Sequence, residues 1–563
     1  MMILCDEGTS FLDKIDRSPK FLFKFIFVEI FASLALAGAE WWYETRRLEI
    51  TVDVPGFQKH ILFRLMRRIM FYGIYLLAAF TVILNVTLIF DNVLWGDEAY
   101  SANLVRHNLP DMMQIISLTE PHPPLYYYWL KMWVELLGHS GTVFHLASLL
   151  VFILGLVLTV TLVRKRYGKI PASFFIVFTG MSEMCLTYNV EIRMYAMAFL
   201  AVAFCYYSAG RFIERNRFMG WAGMVFWGLV AAYSHYFALL AVVILMVMTC
   251  LLAVWRFGVK TWFKSIAAGI IFIGGYTPWL QFMAKAVNRV KGNWWLEESV
   301  SLDRAANMMF GGANMTRILL PLMALMLLLL FLVESAILEE KRTGDKISVC
   351  IRAPRAEGWS AEYCILLVGL STIVLTVAIA YLADIVYCPI LSQRYVYPLG
   401  GVTAMMLVTG GSRFLRFLKD RQKPWKKGWL ETAGKGVLLL ILAVLILTGI
   451  KDYRQVSAEV KLQSAKTEAA LAVIGEPVED MVLVNNGVKH IGWTVLEYYY
   501  PDAEVLNNHY SNIEMDDFWY FTPGFLSEQD MSVMAQKGYL VGGYGEQQIS
   551  TYSFVLYHFF KPE

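Results

Sequence analysis

The chain has 563 residues, of which 57% are hydrophobic, 15% aromatic and only 17% charged, a composition that excludes an ordinary soluble domain and marks a protein that crosses a membrane many times. Its formal net charge of +3 gives no basis for a nucleic-acid partner, so the information lies in where the positive charges fall. The seven cysteines, at 5, 185, 205, 250, 350, 364 and 388, form no C-x-x-C pair, which indicates neither a zinc ribbon nor a disulfide framework.

The N-terminal stretch MMILCDEGTSFLDKIDRSPK mixes acids with bases. It lacks the basic start, short apolar run and small-residue cleavage site of a signal peptide, so insertion is expected through uncleaved spans. Residues 20–38 are apolar but carry Lys24 and Glu29 near their middle. They read as an amphipathic or re-entrant helix in a cytoplasmic extension, residues 1–64, with an additional span as the alternative.

Crossing the hydrocarbon core takes about 20 apolar residues in a helix, because every backbone polar group must be satisfied inside the segment. Eleven runs meet that need, near 69–90, 144–163, 171–188, 194–210, 219–234, 236–254, 264–281, 318–337, 362–382, 395–411 and 433–450. Cytoplasmic loops collect Lys and Arg. The clusters at 59–68, 164–169, 211–217, 256–264, 341–355 and 413–427 fall in every second loop, so apolar length and charge agree on one alternation.

The expected fold is therefore an all-α polytopic membrane domain of about 11 transmembrane helices, residues 65–452. A small extracytoplasmic α/β domain follows, residues 453–563. In that tail 455–475 reads as a helix, 480–486 and 550–560 as strands, and 527–538 as a helix capped by Ser527 and stopped at Gly538.

The same alternation puts a series of unusual ionisable residues on one, external side. Asp97 and Glu98 stand in the first outer loop before a surface helix over 99–117; a carboxylate there suits a general base, and a helix cap is the alternative. Glu120 and His122 sit on a frame of Pro121, Pro123 and Pro124 ahead of Tyr126, which pins the imidazole or simply starts a helix. Glu191, Arg193 and Tyr195 stand at the mouth of two spans, where Arg193 either pairs with Glu191 or grips a phosphate. His235 and Tyr236 occupy another outer helix end. Lys285, Arg289 and Lys291 depart from the positive-inside bias and are either an anion site or a plain loop. Arg394 and Tyr395 enter a span, where an arginine is a functional candidate by default.

Taken in order, Asp97-Glu98, HPPLYY (122–127), EIRMYA (191–196), SHYF (234–237), PWL (278–280) and RYVYP (394–398) resemble the GT-C superfamily of membrane glycosyltransferases. The branch is that of the protein O-mannosyltransferases and the lipid A aminoarabinose transferases, and the likeness covers about residues 65–450. It implies a donor sugar on a polyprenyl phosphate and inverting transfer at the outer face to an envelope glycan or lipid, in a bacterial plasma membrane. Asp97 would be the general base and Glu98 its assistant. Arg193, Arg394 and the group Lys285, Arg289 and Lys291 would hold the donor phosphate. Glu120, His122, Tyr126, Glu191, Tyr195, His235, Tyr236 and Tyr395 would position substrate, with His122 and His235 orienting the donor or sharing a divalent metal. Two other readings stand beside this one: a GT-C polymerase or ligase acting on pyrophosphate-linked glycans, and a transporter or flippase, which calls for ionisable residues deep within the spans.

Overall fold

A computed structural model describes residues 57–562 apart from short breaks at 294–297, 336, 344–345, 353–358, 387–388, 421–428, 479, 489–490 and 510–511. Residues 20–38 lie outside the described residues, and so do the side chains of Arg289 and Lys291.

Nine of the eleven apolar runs each fall on one helix, and those at 171–188 and 395–411 each cover two. α1 (Phe57–Thr87) leads through three short helices, α2 (Gly96–Leu104), α3 (Leu109–Leu118) and α4 (Leu125–Leu137), to the long α5 (Gly141–Tyr167). The run at 171–188 is broken at Ser182 into α6 (Lys169–Met181) and α7 (Glu183–Tyr188). Then come α8 (Tyr195–Arg215), α9 (Phe218–Ala232), α10 (Tyr236–Phe257) and α11 (Thr261–Asn293). After α12 (Leu302–Met309), α13 (Ala313–Ser335) and α14 (Ala361–Val386) flank a hairpin of β1 (Ile337–Thr343) and β2 (Lys346–Arg352). The one-turn α15 (Gln393–Val396), α16 (Leu399–Asp420) and α17 (Trp429–Ile474) complete the bundle. Among the described residues, α5, α8, α10, α11, α13, α14 and α17 are each long and apolar enough to cross a bilayer.

Two boundaries differ from the sequence expectation. The surface helix over 99–117 is two helices, because Asn108 turns the chain and caps α3, accepting from the Asp111 amide, while Pro110 in its first turn has no N–H to continue a helix from α2. The last span and the helix expected at 455–475 are one helix, α17. No Pro interrupts 437–474, and the single glycine there, Gly449, keeps its backbone N–H, so the hydrogen-bond ladder runs on from the apolar segment until Gly475, which adopts φ 89°.

α8 is the centre of the bundle, with 94% of its apolar segment buried and with α5, α9, α10, α14 and α16 packed around it. Helices in lipid gain little from hydrophobic exclusion and associate through close packing of small residues. Ala198, Ala201, Ala203 and Ala209 supply those on α8, all fully buried, and Gly401 supplies one on α16. A Cβ on Gly401 would stand 2.5 Å from the Phe199 carbonyl oxygen, so the two backbones touch only because that residue has no side chain.

The tail holds a five-stranded sheet in the order β4-β3-β5-β7-β6, built from β3 (Val482–Asn485), β4 (Glu504–Asn507), β5 (Asp517–Thr522), β6 (Leu540–Ile549) and β7 (Tyr552–Phe560). β3 pairs parallel with β4 and β5, while β7 pairs antiparallel with β5 and β6. Alternate residues face opposite sides of a strand. Val484, Phe518, Tyr520, Tyr557 and Phe559 face α18 (Glu528–Gln536) through Met534, whereas Leu483, Phe521, Phe554 and Leu556 join the hydrophobic core of the bundle.

Gly401→Val is expected to lower the melting temperature of the detergent-solubilised protein by several degrees. Gly436→Val, at a site where a Cβ would meet nothing within 4 Å, is expected to leave it nearly unchanged in the same melt.

Candidate active site at the mouth of the bundle

The site begins at Trp95, which caps α2. Glu98, three residues on, folds back so that its Oε2 accepts from the Trp95 amide at 3.3 Å. Its Oε1 accepts from the Ile192 amide at 2.9 Å, tying α2 to the loop between α7 and α8, and the buried His145 Nδ1 stands 3.7 Å away. Burial, then the neighbouring Glu191, pushes the Glu98 carboxyl well above the usual carboxylate range. Burial likewise raises Glu191, to about 7, against the opposing pull of Arg394.

That leaves Asp97 facing out of the turn. Its Oδ2 pairs with Arg394 Nη1 at 2.6 Å, with both side chains partly open to solvent. The Arg394 guanidinium also lies over the Trp95 ring, 4.8 Å from its centroid.

Behind this pair sits a second arginine, fully enclosed. Arg193 is 3% exposed. Its Nη1 donates to Tyr127 OH at 2.9 Å and to Ser101 Oγ at 3.2 Å, and its Nη2 approaches Glu120 Oε1 at 3.5 Å. His122 Nδ1 donates to the same carboxylate oxygen at 2.5 Å. Burial alone would raise the Glu120 carboxyl, but the guanidinium and the imidazole outweigh it and hold it down at about 2. Arg193 thus pairs with Glu120 rather than with its sequence neighbour Glu191.

His235 caps α10, its Nδ1 accepting from the Phe237 amide at 3.1 Å. Its proton is therefore on Nε2, which is buried without a hydrogen-bond partner among the described residues, and burial holds the imidazole well below its ordinary range. The His122 ring centre is 5.2 Å away and the Tyr395 ring centre 5.1 Å; Tyr195 closes the group at 5.8 Å from His235.

Two cavities open from this corner. One, of about 860 Å³, is walled almost entirely by apolar side chains of α10, α11 and α14, with His122, His235, Tyr236 and Tyr395 at its head. The other, of about 480 Å³, is the more polar of the two, mixing aliphatic with polar side chains, and carries Trp95, Glu98, Glu191 and Arg394.

Asp97, Glu98, Glu120, His122, Glu191, Arg193, Tyr195, His235, Arg394 and Tyr395 are thus brought together. Tyr126 lies one layer beneath, hydrogen-bonded to Ser148 at 2.6 Å. Tyr236 accepts from the Trp279 indole at 3.2 Å. Lys285 stands apart on an exposed face of α11, its Nζ 5.9 Å from the Phe282 ring centre. Tyr127, Ser101, Trp95 and His145 join the site without standing out in the sequence; Ser101 and Trp95 are within one helical turn of Asp97, which is the signal that marks them.

The fit to a metal is poor. Among the described residues no three His, Cys, Asp or Glu side chains are grouped to hold an ion, and beside Glu120 and His122 the place a cation would take is filled by the Arg193 guanidinium, whose Nη2 is 3.2 Å from His122 Nδ1.

The fold is shared with known proteins. Over 86% of this chain and 98% of the other, it superposes on the crystal structure of ArnT from Cupriavidus metallidurans bound to undecaprenyl phosphate, with a TM-score of 0.52 at 13% identity. The apo structure of the same protein matches with a TM-score of 0.51 at 10% identity, over 86% of this chain and 97% of that one. No family model matches the chain, and a search of curated proteins found no match. The chain is a multi-pass membrane protein with the GT-C fold, as the ordered motifs led one to expect. Within that fold it is similar to ArnT, a lipid A aminoarabinose transferase.

Arg193→Met is expected to lower the unfolding free energy by about 3–5 kcal/mol, since it strands a buried carboxylate; adding Glu120→Gln should recover part of the loss in the same denaturation series. A pH effect follows from Glu191. Its pKa of about 7 lies above the ordinary 4.5, so between those values the folded state keeps a proton that the unfolded chain has released. That contribution to stability is complete below 4.5 and is lost as pH rises through about 7. In melts from about pH 5 to 8, Glu191→Gln is expected to flatten the decline seen in the wild type.

Proposed function

We propose that the protein is a glycosyltransferase that moves a sugar from a polyprenyl-phosphate donor to a hydroxyl of a cell-envelope glycan or lipid, with inversion, at the outer face of a bacterial plasma membrane. The observation that carries this reading is the meeting of two cavities at one corner: Arg394, paired with Asp97, lines the more polar one, and its chain neighbour Tyr395 stands with His122 and His235 at the head of the apolar one. An isoprenoid chain fits the apolar cavity, whose volume is in the usual range for ligand sites. Its phosphate then comes to the His122, His235 and Tyr395 end, beside the two arginines. The undecaprenyl phosphate bound to ArnT is a ligand of this chemistry.

In the reaction the acceptor oxygen bonds to the anomeric carbon as the bond from that carbon to the phosphate oxygen breaks. The bonding pair leaves with the polyprenyl phosphate, and the hydroxyl proton passes to Asp97. Arg193 and Arg394 stabilise the negative charge that grows on the phosphate. Arg193 is held rigidly by Tyr127, Ser101 and Glu120, so it meets that charge without reorganising. Arg394, partly exposed, turns from Asp97 toward the phosphate, which releases the carboxylate to act as base. Glu98 acts by position, since both its oxygens are engaged with backbone amides. His235 Nε2–H supplies a further donor toward the donor's phosphate or sugar.

The test is to incubate the purified protein with radiolabelled polyprenyl-phosphate sugars and an envelope extract. Asp97→Asn is expected to reduce transfer by about 10²–10⁴-fold while retaining donor binding. Full transfer by that variant would overturn the assignment of the base, and no transfer by wild type across the donor panel would overturn the reading as a whole.

A further inference from the structure

The polar cavity has a second wall, and it comes from the tail. Gln455, Glu459 and Gln463 line it from the polar half of α17, and Ser550 and Thr551 line it from the turn between β6 and β7. Ser550 is the unusual residue. It is 1% exposed, its backbone is left-handed at φ 53°, and its Oγ has no hydrogen-bond partner among the described residues. A buried hydroxyl without a partner and a non-glycine residue in that conformation are both unfavourable, so the turn keeps an unsatisfied group in the wall of the cavity.

The turn is also fixed in place. The Ser550 amide donates to Thr467 Oγ1 of α17 at 2.8 Å. Two residues on, Tyr552 OH accepts from the amide of Gly96 at 3.0 Å, the residue that precedes Asp97. The tail turn is therefore built against the reaction corner itself.

The lining also selects an occupant. Among the described residues its cation is Arg394, against the carboxyl groups of Glu98, Glu183, Glu191 and Glu459, which disfavours an anionic group. Three amides, Asn92, Gln455 and Gln463, and four hydroxyls, Thr187, Tyr188, Ser550 and Thr551, each able to donate and accept, match a dense set of neutral hydroxyls.

We propose that the tail forms half of the acceptor site: the cavity between the β6–β7 turn, α17 and the Asp97–Arg394 corner takes a neutral, polyhydroxylated sugar head group, with Ser550, Gln455 and Gln463 as its hydrogen-bond partners. This rests on the transferase reading above. One hydroxyl of that group faces Asp97, gives up its proton there and forms the new bond to the anomeric carbon as the polyprenyl phosphate departs.

The experiment uses the full chain, a radiolabelled polyprenyl-phosphate sugar and a titrated envelope lipid extract as acceptor, untreated or treated with periodate to cleave vicinal diols. Ser550→Ala is expected to raise the KM for extract about fivefold and Thr551→Trp more than tenfold, with smaller changes in kcat, and periodate is expected to abolish acceptance. Capture of labelled donor reports whether each variant is folded; Ser550→Ala, the smallest change, decides the matter if Thr551→Trp loses capture. Wild-type KM in Ser550→Ala, or undiminished acceptance of periodate-treated extract, would overturn the tail site while wild-type transfer left the transferase reading standing. A wild type that transfers nothing would remove both.

Discussion

A guanidinium buried away from water must be neutralised on the spot, because the charge cannot be shed at any ordinary pH. Arg193 imposes that demand on the mouth of this bundle. Its partners come from three separate elements: Ser101 from α2, Tyr127 from α4, and Glu120 from the proline-framed link between α3 and α4. Glu120 in turn fixes His122, and the His122 ring sets the floor on which His235 and Tyr395 pack. One enclosed charge therefore determines how α2, α4, α8 and α10 meet, and the partly exposed Asp97–Arg394 pair is mounted on the result.

On the proposed reading, the two arginines divide the work that a phosphate site requires. A fully enclosed cation surrounded by fixed dipoles provides stabilisation that needs no rearrangement, and a partly exposed one can exchange partners. The carboxylates divide in the same way. Glu98 is spent on holding the loop at Ile192, which leaves its neighbour Asp97 facing the open corner. Adjacent acids in one turn thus have opposite fates because α2 turns one inward and the other outward.

Much of this is legible in the sequence. Apolar length marks a helix strongly, so nine of the eleven runs lie on single helices and two are divided by a turn, and the motif order carries the GT-C fold. The corner residues are legible because an ionisable group at the end of a span is costly and therefore conspicuous. What cannot be read are partnerships across long separations: Arg193 chooses Glu120, 73 residues away, over Glu191 two residues away, and only packing decides that. The unbroken α17 is hidden because its composition changes from apolar to polar partway along, which mimics a boundary, whereas the backbone continues wherever nothing interrupts its hydrogen bonds. In the tail, β4, β5 and β6 carry too little alternation to announce themselves; β6 in particular is mostly exposed and contains Gly542, Gly543 and Gly545.

The continuity of α17 gives the tail its relation to the bundle. A helix that leaves the apolar layer and runs on for several turns transmits its direction to whatever is attached, and here the sheet folds back so that Leu483, Phe521, Phe554 and Leu556 enter the same core as the transmembrane helices. Asn103 of α2 donates to the Thr494 carbonyl at 3.0 Å, and Gly96 donates to Tyr552, so both ends of the short helix that carries Asp97 are held by tail residues. Polar contacts of this kind between elements remote in sequence persist only when both sides are rigidly placed, since each alone is too weak to order a chain. The shared core supplies that rigidity, and the geometry at Asp97 is accordingly a property of the bundle and the tail together.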